Sequence, residues 1–390
     1  MSELVRLRRW SLGVHAVLAF AGIYFAAAPN AAGVDPLHAM VTAVAAVAFL
    51  AVAAFRATAS LSHGGAVRLV LVELSVLAST LWPSTMTGIA GANVYFAWGI
   101  AELDPRAPNV ARLRRAWFFG IGAHTLLITA AALVPSPHDT TLLLGAALLR
   151  LGVPPFHSWL FVLIDEAPLE LSVIVVATPF SALALLSPSA RLHDSLLWIG
   201  LFATMSGALA TLVRSSSKRV IAAISVSLAG TMVVALSHPA SSVRLGGALL
   251  GASAALALSG LLLILHGIEA RLGRPMDASM SGFGHDGGQW FGRFALVFAI
   301  AIVALPGAPA FIGEDLLVDG LLSTNPMIAV LMMFAAVLVA IGIFRLVLLG
   351  FFGPKTHLRL PADALLRERT ALIALTVTLG LLTVWPTMRN

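Results

Sequence analysis

Residues 150–159 read RLGVPPFHSW and residues 305–315 read LPGAPAFIGED. Each stretch sets Gly-X-Pro-X-Phe inside a long apolar run, with ionisable residues beside it. Proline removes a backbone donor and clashes with the preceding turn, so each stretch reads as a break in a helix. In a bilayer the carbonyls freed by a break have no water to turn to. Such a break persists only inside protein or beside a hydrated cavity. Two related breaks with charges at hand therefore point to a polar interior.

The rest of the chain supplies the membrane context. Hydrophobic residues make up 59% of it and charged residues 11%, at a mean hydropathy of +0.95, whereas a soluble protein carries about 25% charge. The apolar residues fall into blocks of bilayer-spanning length. We read these blocks at 12–28, 37–55, 66–82, 85–101, 116–134, 139–164, 168–187, 195–213, 220–236, 245–268, 292–322, 326–352 and 369–386. The sixth and eleventh contain the two breaks, and Pro179 is expected to kink the seventh. The expected fold class is an all-α polytopic membrane protein of about 13 transmembrane helices (12–14).

A net charge of +6 and a pI near 10.9 suggest a nucleic-acid binder only until the charges are located. They lie in the short loops between apolar blocks, and no nucleic-acid partner is expected. With the N-terminus inside, 20 of the 24 basic residues fall on the inner side. Arg191, Arg244 and Arg389 fall outside and Arg345 lies within a span. This bias follows the positive-inside rule and predicts a multi-pass protein of the cell inner (cytoplasmic) membrane with a cytoplasmic N-terminus. The leading RLRRW, apolar run and FAAAPN have the parts of a signal peptide, but an uncleaved first helix is expected. The absence of cysteine excludes disulfides, thiolate clusters and iron–sulfur ligation.

GVPPF at 152–156 and GAPAF at 307–311 lie 155 residues apart, in blocks that run in opposite directions. The expected organisation follows from that match. Residues 1–84 form N-terminal helices, and 85–213 a first five-helix repeat broken near 152–156. Residues 214–353 form a second, inverted repeat broken near 306–311, and 354–390 a loop and last helix. Paired Gly/Pro interruptions in inverted halves mark ion or substrate pathways in transporters.

A charge at the membrane centre costs at least about 2.5–3.5 kcal/mol on insertion scales, so each deep one needs a partner, water or a task. Glu73, Glu314 and Arg345 lie far from block ends, and the sequence leaves open a pairing of Glu314 with Arg345. Arg150 and His157 flank the first break, and Asp315 and Asp319 follow the second. Lys218, near the inner surface, reads as a snorkelling side chain or a pathway residue. His124 and His266 are weaker candidates, and Asp165, Glu166 and Glu170 read as a solvated acidic loop. No P-loop, dinucleotide fingerprint, metal-binding His/Glu spacing or nucleophile elbow is present. No catalytic chemistry, cofactor or metal is therefore expected in this chain.

Four collinear segments resemble the antiporter-like subunits of respiratory complex I, which are related to Mrp-type cation/proton antiporters. RLGVPPFHSWLFVLIDEAP is similar to the family's lysine-to-Pro-Phe-His-x-Trp-Leu segment, with Arg150 at the lysine. SSSKRVIAAISVSLAG resembles its Ile-Lys-Arg-x-Ile-Ala segment, with Lys218 at the lysine. LPGAPAFIGEDLLVDGLL is similar to the segment that carries an ionisable residue at Glu314, and FRLVLLGFFG places Arg345 on the family arginine. The resemblance covers roughly residues 110–353. Two family lysines fall on Ser181 and Ser259, and the glutamate expected within 85–101 has no counterpart there. The chain also reads as shorter than family members, by a first helix and a C-terminal extension.

The resemblance implies a proton- or cation-translocating membrane subunit of a complex I-related assembly, driven by that assembly's redox or transport chemistry. Its partners would be other subunits and membrane lipids. Two alternatives stay open: a non-conducting scaffold that anchors a partner protein, and a proton-coupled anion (bicarbonate) transporter subunit.

Overall fold

The computed structural model describes residues 2–27, 36–56, 62–81, 85–134, 138–179, 193–214, 216–277, 280–285, 287–354 and 360–384. Among these residues the regular structure is helical, and the chain divides into two compact units. The first comprises Met1–Gly152 and Phe156–Ser187, and the second Val153–Pro155 and Pro188–Asn390.

The first unit opens with α1 (Ser2–Ala27), α2 (Pro36–Phe55) and α3 (His63–Leu81). Alanine-rich α2 is buried along most of its length between its neighbours, because small side chains let helices approach closely. The Thr42 and Thr80 hydroxyls meet at 2.8 Å and tie α2 to α3. Next come α4 (Thr85–Glu102), α5 (Val110–Trp117) and α6 (Ala123–Ala131), the last two joined by a π-turn over Phe118–Gly122. At that turn Gly120 has no Cβ to obstruct the buried Trp159 indole, which would lie 2.2 Å from one. The unit ends with α7 (His138–Leu151), α8 (Ser158–Glu166) and α9 (Leu169–Ala177). Helix α9 stops ahead of Pro179, and the remainder of the seventh apolar block lies outside the described residues.

The second unit holds α10 (His193–Val213), α11 (Ser217–Ser237), α12 (Ser241–Leu272), α13 (Gln289–Ile302), α14 (Pro309–Thr324), α15 (Pro326–Phe344), α16 (Gly350–Phe352) and α17 (Leu366–Val384). A π-turn over Arg345–Leu349 joins α15 to α16. Helix α12 is the core element: it packs against α11, α13, α14 and α17, and its most apolar window is fully enclosed. Its crossing with α14 is backbone on backbone. A Cβ on Gly313 would come within 2.6 Å of the Gly246 carbonyl, and one on Gly246 within 2.6 Å of the Gly313 carbonyl.

Among the described residues seven helices are long and apolar enough to cross a membrane: Glu3–Ala27, His38–Phe55, His63–Leu81, Ser195–Val213, Ser217–Ser237, Ser241–Leu272 and Pro326–Phe352. The protein is an all-helical, multi-pass membrane protein. The apolar blocks at 139–164 and 292–322 are not single helices: each consists of two shorter helices separated by the quoted Gly-X-Pro-X-Phe stretch or its flank.

Candidate functional site

Both breaks turn on glycine. Gly152 (φ +68°) ends α7 and Gly307 (φ +97°) lies between α13 and α14, in the left-handed region where a Cβ is penalised. Beyond Gly307, Ala308 is extended and Pro309 opens α14 at its first turn, where a missing N–H costs nothing. The first break contains a cis Pro154–Pro155 bond, and α8 starts after His157.

In the first unit Arg150, only 3% exposed, sits just before the break. Its Nη2 donates to Thr178 Oγ1 at 2.6 Å and to the Tyr95 hydroxyl at 3.1 Å. The guanidinium carbon stands 4.9 Å from the centre of the Tyr95 ring, a cation–π distance. Tyr95 in turn stacks on Trp117, with centroids 5.6 Å apart, and packs beside Trp98. Trp117 is held by its indole N–H to the Phe96 carbonyl at 3.1 Å and lies against Gly99. All partners of this cation are neutral: among the described residues no carboxylate pairs with it. One turn earlier on α7, the Ala146 carbonyl accepts from Nδ1 of buried His124 at 2.9 Å. His157 is half-buried, its ring 5.7 Å from that of Phe161.

The second unit brings three ionisable groups together. Lys218, at the start of α11, is 6% exposed. Its Nζ lies 2.5 Å from Glu269 Oε2 and 3.5 Å from His266 Nδ1. The other Glu269 oxygen accepts from the Met276 backbone N–H at 3.1 Å. Glu314, one turn into α14, is half-buried, and among the described residues no hydrogen bond or ion pair engages it. Asp315 and Asp319 are exposed. On α12 the fully buried Ser259 hydroxyl has no hydrogen-bond partner.

Comparison with known proteins identifies the family to which these residues belong. The profile described as NADH:quinone oxidoreductase/Mrp antiporter, TM matches residues 138–340, more than half of the chain. The chain belongs to this family. It is 27% identical to NADH-quinone oxidoreductase subunit M of Escherichia coli (strain K12) over 252 residues, which cover 61% of this chain and 49% of that protein. It is 29% identical to the subunit M of Pseudomonas aeruginosa over 273 residues, covering 64% and 52%. The chain thus spans about half the length of the curated relatives it matches. Its fold is similar to a chain of respiratory complex I from Thermus thermophilus with bound NADH, at a TM-score of 0.78 and 19% identity over 90% of this chain and 81% of that one. A chain of the Mrp complex from Dietzia sp. DQ12-45-1b gives a TM-score of 0.83 at 14% identity, covering 99% and 90%.

Several family positions fall differently from the sequence-based expectation. Arg345 does not pair with Glu314. It is exposed, and its guanidinium donates to the carbonyls of Leu212 at 2.9 Å and Arg214 at 3.4 Å, at the end of α10. Helix ends leave such carbonyls without intrahelical partners and attract cations. Lys218 does not snorkel; the carboxylate of Glu269 holds it. Glu166 and Glu170 are not simply solvated, since Arg112 reaches the first at 2.7 Å and Arg56 the second at 3.0 Å. Glu102 pairs with Arg68 at 3.0 Å, and Ser181 lies outside the described residues.

Three residues escaped the sequence reading. His15 is fully buried against the equally buried Glu73, Nδ1 facing Oε2, and supplies the partner that a mid-span carboxylate requires. A histidine within the first apolar block was the available signal. Glu269 follows His266 by three residues, the spacing that puts both on one helix face. Nothing in the sequence singles out Tyr95, and only the fold sets it under a guanidinium.

Proposed function

We propose that this chain is a proton- (or cation-) translocating, antiporter-like subunit of a larger inner-membrane assembly, driven by that assembly's redox or transport chemistry. The observation that carries the proposal is Glu314: a half-buried carboxylate without an ion pair among the described residues, seven residues beyond the left-handed Gly307, in a chain of this family. A carboxylate so placed can take up a proton from one side of a break and release it to the other. Lys218, Glu269 and His266 form a second set that can pass a proton, and a change in the Lys218–Glu269 pair would alter the field around it. Asp315 and Asp319 extend the acidic face of α14. Arg345 sets the end of α10 rather than carrying protons, while Arg150 and His157 line the first break. Glu73 and His124 are buried polar groups of the first unit.

The architecture proposed with this function has about thirteen spans with a cytoplasmic N-terminus. Its halves are inverted repeats over 85–213 and 214–353, flanked by 1–84 and 354–390. The left-handed glycine in each break supports the repeat, as does the distribution of Lys and Arg. Other membrane subunits and lipids are the proposed partners.

One observation favours the scaffold alternative. Arg150 is held by neutral groups, and Ser259 stands where the family carries a lysine, so part of a charged pathway is missing. A single experiment separates the two readings. The full chain is reconstituted into vesicles holding a pH-sensitive dye, and proton uptake is driven by a potassium diffusion potential. A conductor takes up protons and loses that uptake with Glu314→Gln; a scaffold takes up none in either form. Mild-detergent purification from native membranes with mass-spectrometric identification of retained proteins tests the assembly.

A further inference from the structure

We propose that Arg150 is a fixed-charge plug: it closes the first unit to protons and cations instead of relaying them. The inference rests on the proposed translocation reading and deepens it by assigning transfer to the second unit alone.

The argument starts from what each atom can do. A guanidinium carries five donors and no acceptor, and in proteins it does not give up its proton. A carrier must release what it binds, so Arg150 cannot be one. Thr178 Oγ1 donates its own proton to the Ile174 carbonyl at 2.6 Å, and so it accepts from Arg150. Tyr95 accepts from Arg150 at 3.1 Å and lies 3.3 Å from Thr178 Oγ1, to which its O–H therefore points. Both hydroxyl protons are turned away from the guanidinium. A proton hopping along hydrogen bonds needs each member to accept on one side and donate on the other. At Arg150 that condition fails, because a guanidinium only donates.

The charge itself adds a second barrier. Arg150 is buried, with no carboxylate partner among the described residues, and is solvated by two hydroxyls and the face of Tyr95. Even this one charge is incompletely compensated, since the buried Nη1 finds no hydrogen-bond partner among the described residues, and the site offers nothing to a second. A cation passing the break meets an unneutralised unit charge in a medium of low effective dielectric, where repulsion a few ångströms away slows passage by roughly tenfold or more. Fixed arginines exclude protons and cations from pores on this principle. An aromatic wall backs the guanidinium: Gly99 leaves room for Trp117, Trp117 supports Tyr95, and Tyr95 supports the guanidinium.

The test uses the full chain in dye-loaded vesicles under an imposed potential, without any partner, comparing wild type with Arg150→Gln. Glutamine keeps much of the volume and removes the charge. The expected result is a proton leak raised roughly tenfold or more over wild type. Thr178→Val removes one acceptor and keeps the charge, and is expected to raise the leak by a smaller factor. A leak in Arg150→Gln equal to or below that of wild type overturns the plug. So does any fall in driven flux in Thr178→Val, which also decides the matter should Arg150→Gln not yield monodisperse protein. If wild type moves no protons, the translocation reading fails; a gain of leak in Arg150→Gln then still supports the plug, and no gain sinks both.

Discussion

The two units place a basic side chain beside different company. In the first, Arg150 rests on Tyr95 and Thr178, all three buried and none of them acidic. In the second, Lys218 meets Glu269 at 2.5 Å with His266 within 3.5 Å. An ammonium, a carboxylate and an imidazole each exist in two protonation states that a protein can select. A guanidinium among hydroxyls exists in one. The two sets therefore differ in composition: one joins an ammonium, a carboxylate and an imidazole, and the other holds a guanidinium among neutral groups. The difference teaches that a basic residue at a family position is not by itself a proton carrier; its neighbours decide.

The comparison can be broken or sharpened by substitution. The largest effect is expected at the titratable set. Glu269→Ala leaves Lys218 buried without a counter-charge, at a cost of about 3–5 kcal/mol in folding stability. The double variant Lys218→Met with Glu269→Leu is expected to recover most of that loss, as measured by thermal unfolding in detergent. Equal losses in single and double variants would show that packing, not charge, dominates there. A smaller effect is expected at the fixed-charge set. A Cβ at position 99 would fall 1.9 Å from the Trp117 ring, so Gly99→Ala forces the aromatic wall to shift at about 1–3 kcal/mol, accompanied by a raised proton leak. An unchanged leak would detach the wall from the plug. The smallest effect belongs to Arg345→Ala. It removes exposed hydrogen bonds to the end of α10 and is expected to cost about 1 kcal/mol or less with no change in flux. A loss of flux comparable with that of Glu314→Gln would return Arg345 to the pathway.

Much of the fold was legible because lipid leaves few choices. Long apolar blocks must be helices, and a proline–glycine stretch inside one must be a break, so GVPPF and GAPAF located both interruptions. The left-handed turn at Gly152 and Gly307 is the physical reason that glycine leads each stretch. Pairings were less legible, because they depend on rotation about helices that sequence periodicity does not set in uniformly apolar segments. Glu73 was recognised as needing a partner, yet His15 lies 58 residues away in the chain. Arg345 sits mid-block in sequence, but its long side chain reaches the carbonyls of Leu212 and Arg214, across 133 and 131 residues. Arg150 was read as lining the first break; that its neighbours are a tyrosine and a threonine is a consequence of packing among α4, α7 and the end of α9.

The measurement that bears most directly on the account is driven proton uptake by vesicles carrying Glu314→Gln, run beside vesicles carrying Arg150→Gln and wild type. The account expects uptake with Glu314→Gln to fall to that of protein-free vesicles, and uptake with Arg150→Gln to exceed that of wild type by roughly tenfold or more. Loss of uptake with Arg150→Gln, together with its survival in Glu314→Gln, would place the moving proton in the first unit and contradict the account.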